Sequence, residues 1–240
     1  MLSDNSFVGS HWVNSYEVIN QANLVLDNAS KIDDATERAT VEGEALFLRA
    51  MTYFDMVRFY GGVPLRTAGV TNYGADLDIE RASADAIYAQ VASDLNDAYI
   101  KLPASNGEFA DKYAAKALLA RVHLQLGNYA EALTAANDVL ANSGHSLASS
   151  FAGAFNNDSD SSEDIFAFQV TSQDGSNALV THYAAMVFGG RGGDIVVDTY
   201  RSLFDSALDV RRGFFYISPD SGAICTVSYT HLTLPTRIFV

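Results

Sequence analysis

Residues 42–65, EGEALFLRAMTYFDMVRFYGGVPL, constrain this chain more than any other stretch, because they spell a nearly apolar helix that stops on Gly-Gly and then Pro. From residue 45 to residue 60 the strongly polar side chains are Arg49, Thr52, Asp55 and Arg58. Their spacing of three places them in one narrow stripe on a helix whose other sides are hydrophobic. Such a helix belongs inside a helical stack, with Leu48 and Phe54 expected in its core. Gly61 and Gly62 supply the permissive backbone that ends it, and Pro64, with the restricted residue before it, keeps the chain extended on exit.

The rest of the first 145 residues repeats this helical theme. Residues 12–28, WVNSYEVINQANLVLDN, bring Tyr16, Ile19, Asn23 and Leu26 round at three- and four-residue steps, so one amphipathic helix is expected there. Asp33, Asp34 and Thr36 are caps in waiting for the helix that runs into the 42–65 segment. Residues 66–81 read as a loop. Ser83 and Ala84 open a further helix that closes before Pro103, Asp111 opens another, and a last one follows Gly127-Asn128. These segments pair as antiparallel helical hairpins. Leu119, Ala120 and His123, followed by Gly127, Tyr129, Ala132 and Ala136, fall at the Leu, small and aromatic positions of a tetratricopeptide repeat, with Lys116 in place of its first Trp and no closing Pro. Those residues build scaffold: small side chains let two helices approach, and Tyr129 fills the gap they leave. After Gly144 the helical period disappears. Residues 165–170 read as one short strand and residues 189–194 as a glycine-rich turn.

Composition removes several function classes. With 48% hydrophobic and 18% charged residues the chain has matter for a core and too much of it for disorder. A net charge of −14, from 29 acids against 15 bases, repels phosphate backbones and argues against nucleic-acid partners. Fourteen Phe and twelve Tyr serve core packing first, but those a core does not consume are what flat sugar rings stack on. No run approaches the ~20 apolar residues of a membrane-spanning helix, and the opening MLSDNSFVGSHW carries neither a basic nor an apolar signal region.

The string FLRAMTYFDMVRFYGGVPL closely resembles the hallmark segment of the SusD/RagB family, surface glycan-binding lipoproteins that partner TonB-dependent transporters. SEDIFAFQVTSQDGSNAL resembles the strand that precedes that family's variable loops, and LFDSALDVRRGFFY its "D-x-R" helix turn. The resemblance implies an all-α fold of tetratricopeptide-like, SusD-like helical hairpins with a loop-rich, minor-β subdomain. Residues 1–145 would be the scaffold and residues 146–226 the ligand-facing part of the same domain. It further implies capture of oligosaccharide at the cell surface of the outer membrane and delivery to a SusC-like TonB-dependent transporter, with no bond broken. Membrane attachment would come only through an N-terminal lipid anchor absent from this stretch. A different class competes, a tetratricopeptide scaffold whose groove binds a peptide or protein partner.

Chemistry-bearing constellations are sparse. His11, His123, His145 and His182 lack the spacing of a zinc site, and the glycines at 189–193 form neither a dinucleotide fingerprint nor a P-loop. Asp158, Asp160, Glu163 and Asp164 could gather around calcium, but without the central Gly of a loop site they read as a solvated loop. No catalytic residue, metal ligand or cofactor is therefore expected, and nothing suggests the paired carboxylates of a glycoside hydrolase. Cys225, the only cysteine, excludes a disulfide within the chain. For glycan contact Trp12 is the leading residue, expected at the entrance of its helix with its indole free to stack on a pyranose and Asn14 beside it to pair with hydroxyls. Tyr73, Tyr183 and Arg191 are further candidates from loops. Finally, VSYTHLTLPT at residues 227–236 is similar, frame for frame, to a translated transposon-type sequencing adapter. Residues 227–240 are accordingly expected to be a non-native tail, Met1 an internal methionine, and the chain a piece of a longer protein.

Overall fold

A carboxylate, amide or hydroxyl stands immediately before four of the helices in this chain and closes the first turn of each. Asn5 accepts from the backbone N–H groups of Phe7 and Val8 and opens α1, Ser6–Asn28. Asp34 accepts from Thr36 and Glu37, both at 2.8 Å, and opens α2, Ala35–Tyr60. Ser83 caps α3, Ala84–Lys101, and Asp111 caps α4, Lys112–Gln125. Each cap satisfies donors that a helix start leaves without partners. The fifth helix, α5 (Tyr129–Asn142), follows a three-residue connection in which Gly127 has φ +76°, the left-handed geometry that turns the chain back along α4.

These are the elements of a computed structural model that describes residues 5–72, 77–150 and 161–168, together with residue 209 and the strand residues 215–217, 224–226 and 238–239. The chain divides into two compact units, residues 1–144 and 145–239. In the first, each helix packs on the next in chain order, α1 on α2, α2 on α3, α3 on α4 and α4 on α5. The core runs through that stack. Phe47, Ala50, Tyr53 and Met56 of α2 are fully buried against Ile87, Val91, Leu95 and Ala98 of α3, residues that recur at three- and four-residue steps. The α4–α5 pair buries smaller side chains, Ala114, Ala115 and Ala117 of α4 and Ala132 and Ala135 of α5, together with Leu118, Val122 and Val139.

The second unit holds short strands: β1 (Asp164–Phe166), β2 (Phe215–Ile217), β3 (Ile224–Thr226) and β4 (Ile238–Phe239). β1 pairs antiparallel with β4, and β2 with β3. Two residues of the tail thus have a backbone partner at Asp164 and Phe166. The architecture is all-α with a minor β component. Five details differ from the sequence reading. Tyr129 is 70% exposed and does not fill the gap between α4 and α5. α1 begins six residues before Trp12, because Asn5 caps it. Leu48 is half-buried rather than in the core, whereas Phe54 is buried. The strand beginning near residue 165 is three residues long. Phe215–Ile217 is a strand where LFDSALDVRRGFFY suggested a helix turn.

Candidate functional site

Between α2 and α3 the chain must run some twenty residues without a helix, and its peptide groups need partners. One face of α1 provides them. Tyr16, Asn20, Asn23 and Asp27 recur at steps of four, three and four, so they line up along the helix. The Tyr16 hydroxyl donates to the Pro64 carbonyl at 2.7 Å, and Asn20 accepts from Val70 N at 2.7 Å while donating back to Val70 O. Asn23 donates to both the Arg66 and Ala68 carbonyls at 3.2 Å, and Asp27 accepts from Gly69 N at 2.8 Å. From the other side the Tyr53 hydroxyl accepts from Arg66 N at 2.7 Å and donates to Arg66 O at 3.0 Å. Burial pushes both phenols above their usual range, Tyr16 by a wide margin and with Tyr53 adding to the effect.

Beneath this loop lies the polar centre of the stack. Arg49 of α2 makes a two-pronged contact with Asp94 of α3, Nε at 2.8 Å and Nη2 at 2.7 Å, and its Nη1 donates to Asn23 of α1 at 2.8 Å. Gln90 adds a donor to Asp94, so the carboxylate is fully engaged. Arg49, Asn23 and Asp94 are all buried. A buried ion pair is tolerated only when hydrogen bonds answer the remaining charge, and here they also tie three helices and the loop to a single point. Arg49 therefore does not belong to an exposed polar stripe. Asp55 and Arg58 do, forming a half-exposed pair at 3.3 Å.

The GGVP exit from α2 sets the far edge. Gly61 has φ +69°, and a Cβ at Gly62 would run into the Ala82 carbonyl oxygen. This close approach lets Val63 O accept from Ala82 N at 3.0 Å and Pro64 bridge to Arg81. Arg81 donates to the Gly62 carbonyl at 2.6 Å and lays its guanidinium over Trp12, 5.4 Å from the ring centroid.

Around Trp12 the aromatic side chains form an unbroken run. Phe59 meets His11 at 5.1 Å between centroids, His11 meets Tyr60 at 5.6 Å, Tyr60 meets Trp12 edge-on at 5.1 Å, and Trp12 meets Tyr16 at 5.2 Å. The run ends in an open cavity of about 380 Å³ between α1 and the loop, bounded by Trp12, Tyr16, Glu17, Asn20, Arg66 and Leu77 among others. Arg66 is held there by the Leu77 carbonyl. Asn20, Asn23 and Tyr16 spend their polar atoms on the loop, whereas the exposed Glu17 carboxylate has no hydrogen-bond partner among the described residues.

Of the residues singled out for glycan contact, Trp12 lies in this cavity, half-buried. Asn14 does not join it. It lines a separate groove of about 550 Å³ between α1 and α2, whose walls include Val18, Gln21, Val25 and Leu48. Tyr73, Tyr183 and Arg191 lie outside the described residues, as do Asp158 and Asp160 of the acidic run. Among the described residues no three acidic, His or Cys side chains come together as metal ligands, and no helix is long and apolar enough to cross a membrane. His123 packs within α4, its Nδ1 buried and unpaired. The polar face of α1, Asn20, Asn23 and Asp27, was not anticipated, nor was Asp94.

Residues 2–124 match the family described as "Starch-binding associating with outer membrane", SusD-like. The chain is 31% identical over 155 residues to SusD-like protein P25 of Formosa agariphila, an alignment that takes in 62% of this chain and 29% of that one. A crystal structure of a SusD-like protein from Bacteroides fragilis superposes on 73% of the chain with a TM-score of 0.66 at 29% identity, covering 36% of that protein. A laminarin-binding SusD-like protein superposes on 70% of the chain, and on 39% of its own, with a TM-score of 0.64 at 26% identity. The chain thus spans well under half the length of these three relatives. With just over half of its residues matching the family, and with the all-α architecture of its structural neighbours, the chain belongs to the SusD-like family.

Proposed function

We propose that this chain is part of a cell-surface glycan-binding protein that holds oligosaccharide for a SusC-like TonB-dependent transporter in the outer membrane and breaks no bond. The observation that carries this reading is the aromatic run that ends at Trp12 and Tyr16 in an open cavity, in a chain of a family described as starch-binding and resembling a protein that binds laminarin. Indole and phenol rings offer apolar faces to the C–H side of a pyranose, and the unpartnered Glu17 carboxylate accepts hydrogen bonds from hydroxyls. The loop beneath is pinned at Pro64, Arg66, Ala68, Gly69 and Val70, so the site is formed before ligand arrives and little ordering entropy opposes binding. Hydrolysis of a glycosidic bond calls for two carboxylates held at a set separation, and Glu17 is the single carboxylate among the described residues that line the cavity.

Asn14, Tyr73, Tyr183 and Arg191 are proposed as further glycan contacts, each on its own, and attachment to the membrane is assigned to a lipid anchor on the full-length protein. The test is calorimetric titration of the chain with laminarin, xyloglucan oligosaccharide, maltoheptaose and polygalacturonate. Binding by one of them, weakened about tenfold in Trp12→Phe with the melting temperature kept, is the expected result. No heat with any of the four at about 1 mM overturns glycan capture. The transporter reading is tested separately, by whether the complete gene encodes a lipoprotein signal and stands beside a transporter gene.

A further inference from the structure

Phe7 and Phe59 are exposed by 85% and 67% near the start of α1 and the end of α2. His11 is one helical turn from Phe7 on α1, and it meets Phe59 of α2 edge-on with the rings inclined at 65°. Its protonation pattern follows from Tyr60. A phenol has one proton to give, and Tyr60 Oη gives it to the Val8 carbonyl at 3.0 Å. The 3.0 Å contact between Tyr60 Oη and His11 Nδ1 must then have Nδ1–H as donor, an assignment made from the network. With Nδ1 as the donor, Nε2 is the ring nitrogen that carries the lone pair of an uncharged imidazole. It has no partner among the described residues, and it is not among the buried unpaired atoms. Asp55 lies one turn before Phe59 on the same helix; one of its oxygens accepts from Arg58 at 3.3 Å, both side chains of that pair are more than 40% exposed, and burial raises the carboxyl's pKa.

We propose that Phe59, His11 and Asp55 form a second sugar platform, which stacks a neutral pyranose on the Phe59 ring and accepts its hydroxyls on His11 Nε2 and the Asp55 carboxylate. This rests on the glycan-binding function proposed above and adds a ligand class to it. Two acceptors and one exposed ring suit a hydroxyl donor. A uronate or a sulfate ester would bring a second negative charge to Asp55 in a chain whose net charge is already −14. The platform is continuous with the Trp12 cavity, because Tyr60 touches both His11 and Trp12. A glycan of several residues spans the two, and each contact raises the effective concentration at the other.

The same four-ligand calorimetry tests this on the whole chain with three variants. Phe59 is exposed, so Phe59→Ala keeps the fold, which an unchanged melting temperature verifies. The expected result is binding of a neutral member of the panel with no binding of polygalacturonate. Phe59→Ala then weakens the neutral ligand about tenfold, Phe59→Tyr restores it, and Asp55→Asn weakens it less. If the parent binds a neutral glycan and Phe59→Ala binds it equally well, the platform is overturned while glycan capture stands. Preference for polygalacturonate overturns the neutral-ligand assignment. Silence toward all four overturns glycan capture and the platform with it.

Discussion

The two ends of the helical unit are held together by different physics. At the α1–α2–α3 end, a charged pair, two amides and two phenols reach through the core to fix helices and a loop at named atoms: Arg49 on Asp94, Asn23 on Arg49 and on two loop carbonyls, Tyr53 on both backbone groups of Arg66. At the α4–α5 end the buried side chains are apolar, chiefly alanine, leucine and valine. Apolar contacts are non-directional and tolerate sliding, whereas a two-pronged guanidinium–carboxylate pair tolerates very little. The polar end is therefore the one suited to hold a binding cavity in shape, and the aromatic run and the cavity are found there.

Breaking the ion pair gives the largest expected effect. Asp94→Ala leaves the Arg49 guanidinium buried with half its partners gone, and should lower unfolding free energy in urea by about 3–5 kcal/mol. The double variant Arg49→Met/Asp94→Leu should recover much of that loss, since no uncompensated charge remains, yet the cavity loses its anchor and glycan affinity should stay low. A double variant that binds normally would show that the pair supplies stability alone. At the other end Leu118→Ala should cost about 3 kcal/mol, by cavity formation, and leave glycan affinity untouched. Equal loss of affinity in Leu118→Ala would erase the distinction between the ends.

Much of this division was legible in the sequence, and its limits are physical. Caps at Asp34, Ser83 and Asp111 and the stop at Gly61 are local, set by residues within four positions of the helix end, so the chain displays them openly. Asp94 lies 45 residues from Arg49, and no period within α3 distinguishes it from a solvated acid. Asn20, Asn23 and Asp27 look like ordinary polar positions on an amphipathic helix until the loop they hold is in place. Trp12 and Asn14 are two residues apart, about 200° around the helix, and they open onto different grooves. They were paired because Trp12 was placed at the helix entrance, where the chain has not begun to turn, and the cap at Asn5 moves that entrance back.

A smaller effect sharpens the comparison from the loop side. Tyr53→Phe removes one hydroxyl and leaves Arg66 N–H and C=O without it, for an expected loss of about 1–3 kcal/mol. The pH dependence carries the same signature. Burial raises the pKa of Tyr16 and Tyr53 in the folded state, so their contribution is fully present below the unfolded value near 10 and is lost as pH rises through the folded values. Melting temperature should therefore fall above about pH 10, and fall less steeply in Tyr53→Phe. A profile with the same slope in both proteins would mean that Tyr53 does not report on the loop.

The smallest effect is expected on the outer face of α5. Tyr129, Leu133 and Leu140 are large and apolar, and Leu133 is 63% exposed, although it lies on the helix whose inner face closes the alanine-packed end. A side chain in water loses little when replaced, so Leu133→Ser should change unfolding free energy by less than about 0.5 kcal/mol in this chain. The inner face sets the contrast: Val139→Ala, one turn and a half further along, removes buried methyl groups and should cost more than a kilocalorie. Urea titration of the two variants side by side decides the matter. A loss of 2 kcal/mol or more for Leu133→Ser would mean that the outer face of α5 is covered in solution, and that the apolar end of the stack continues beyond α5.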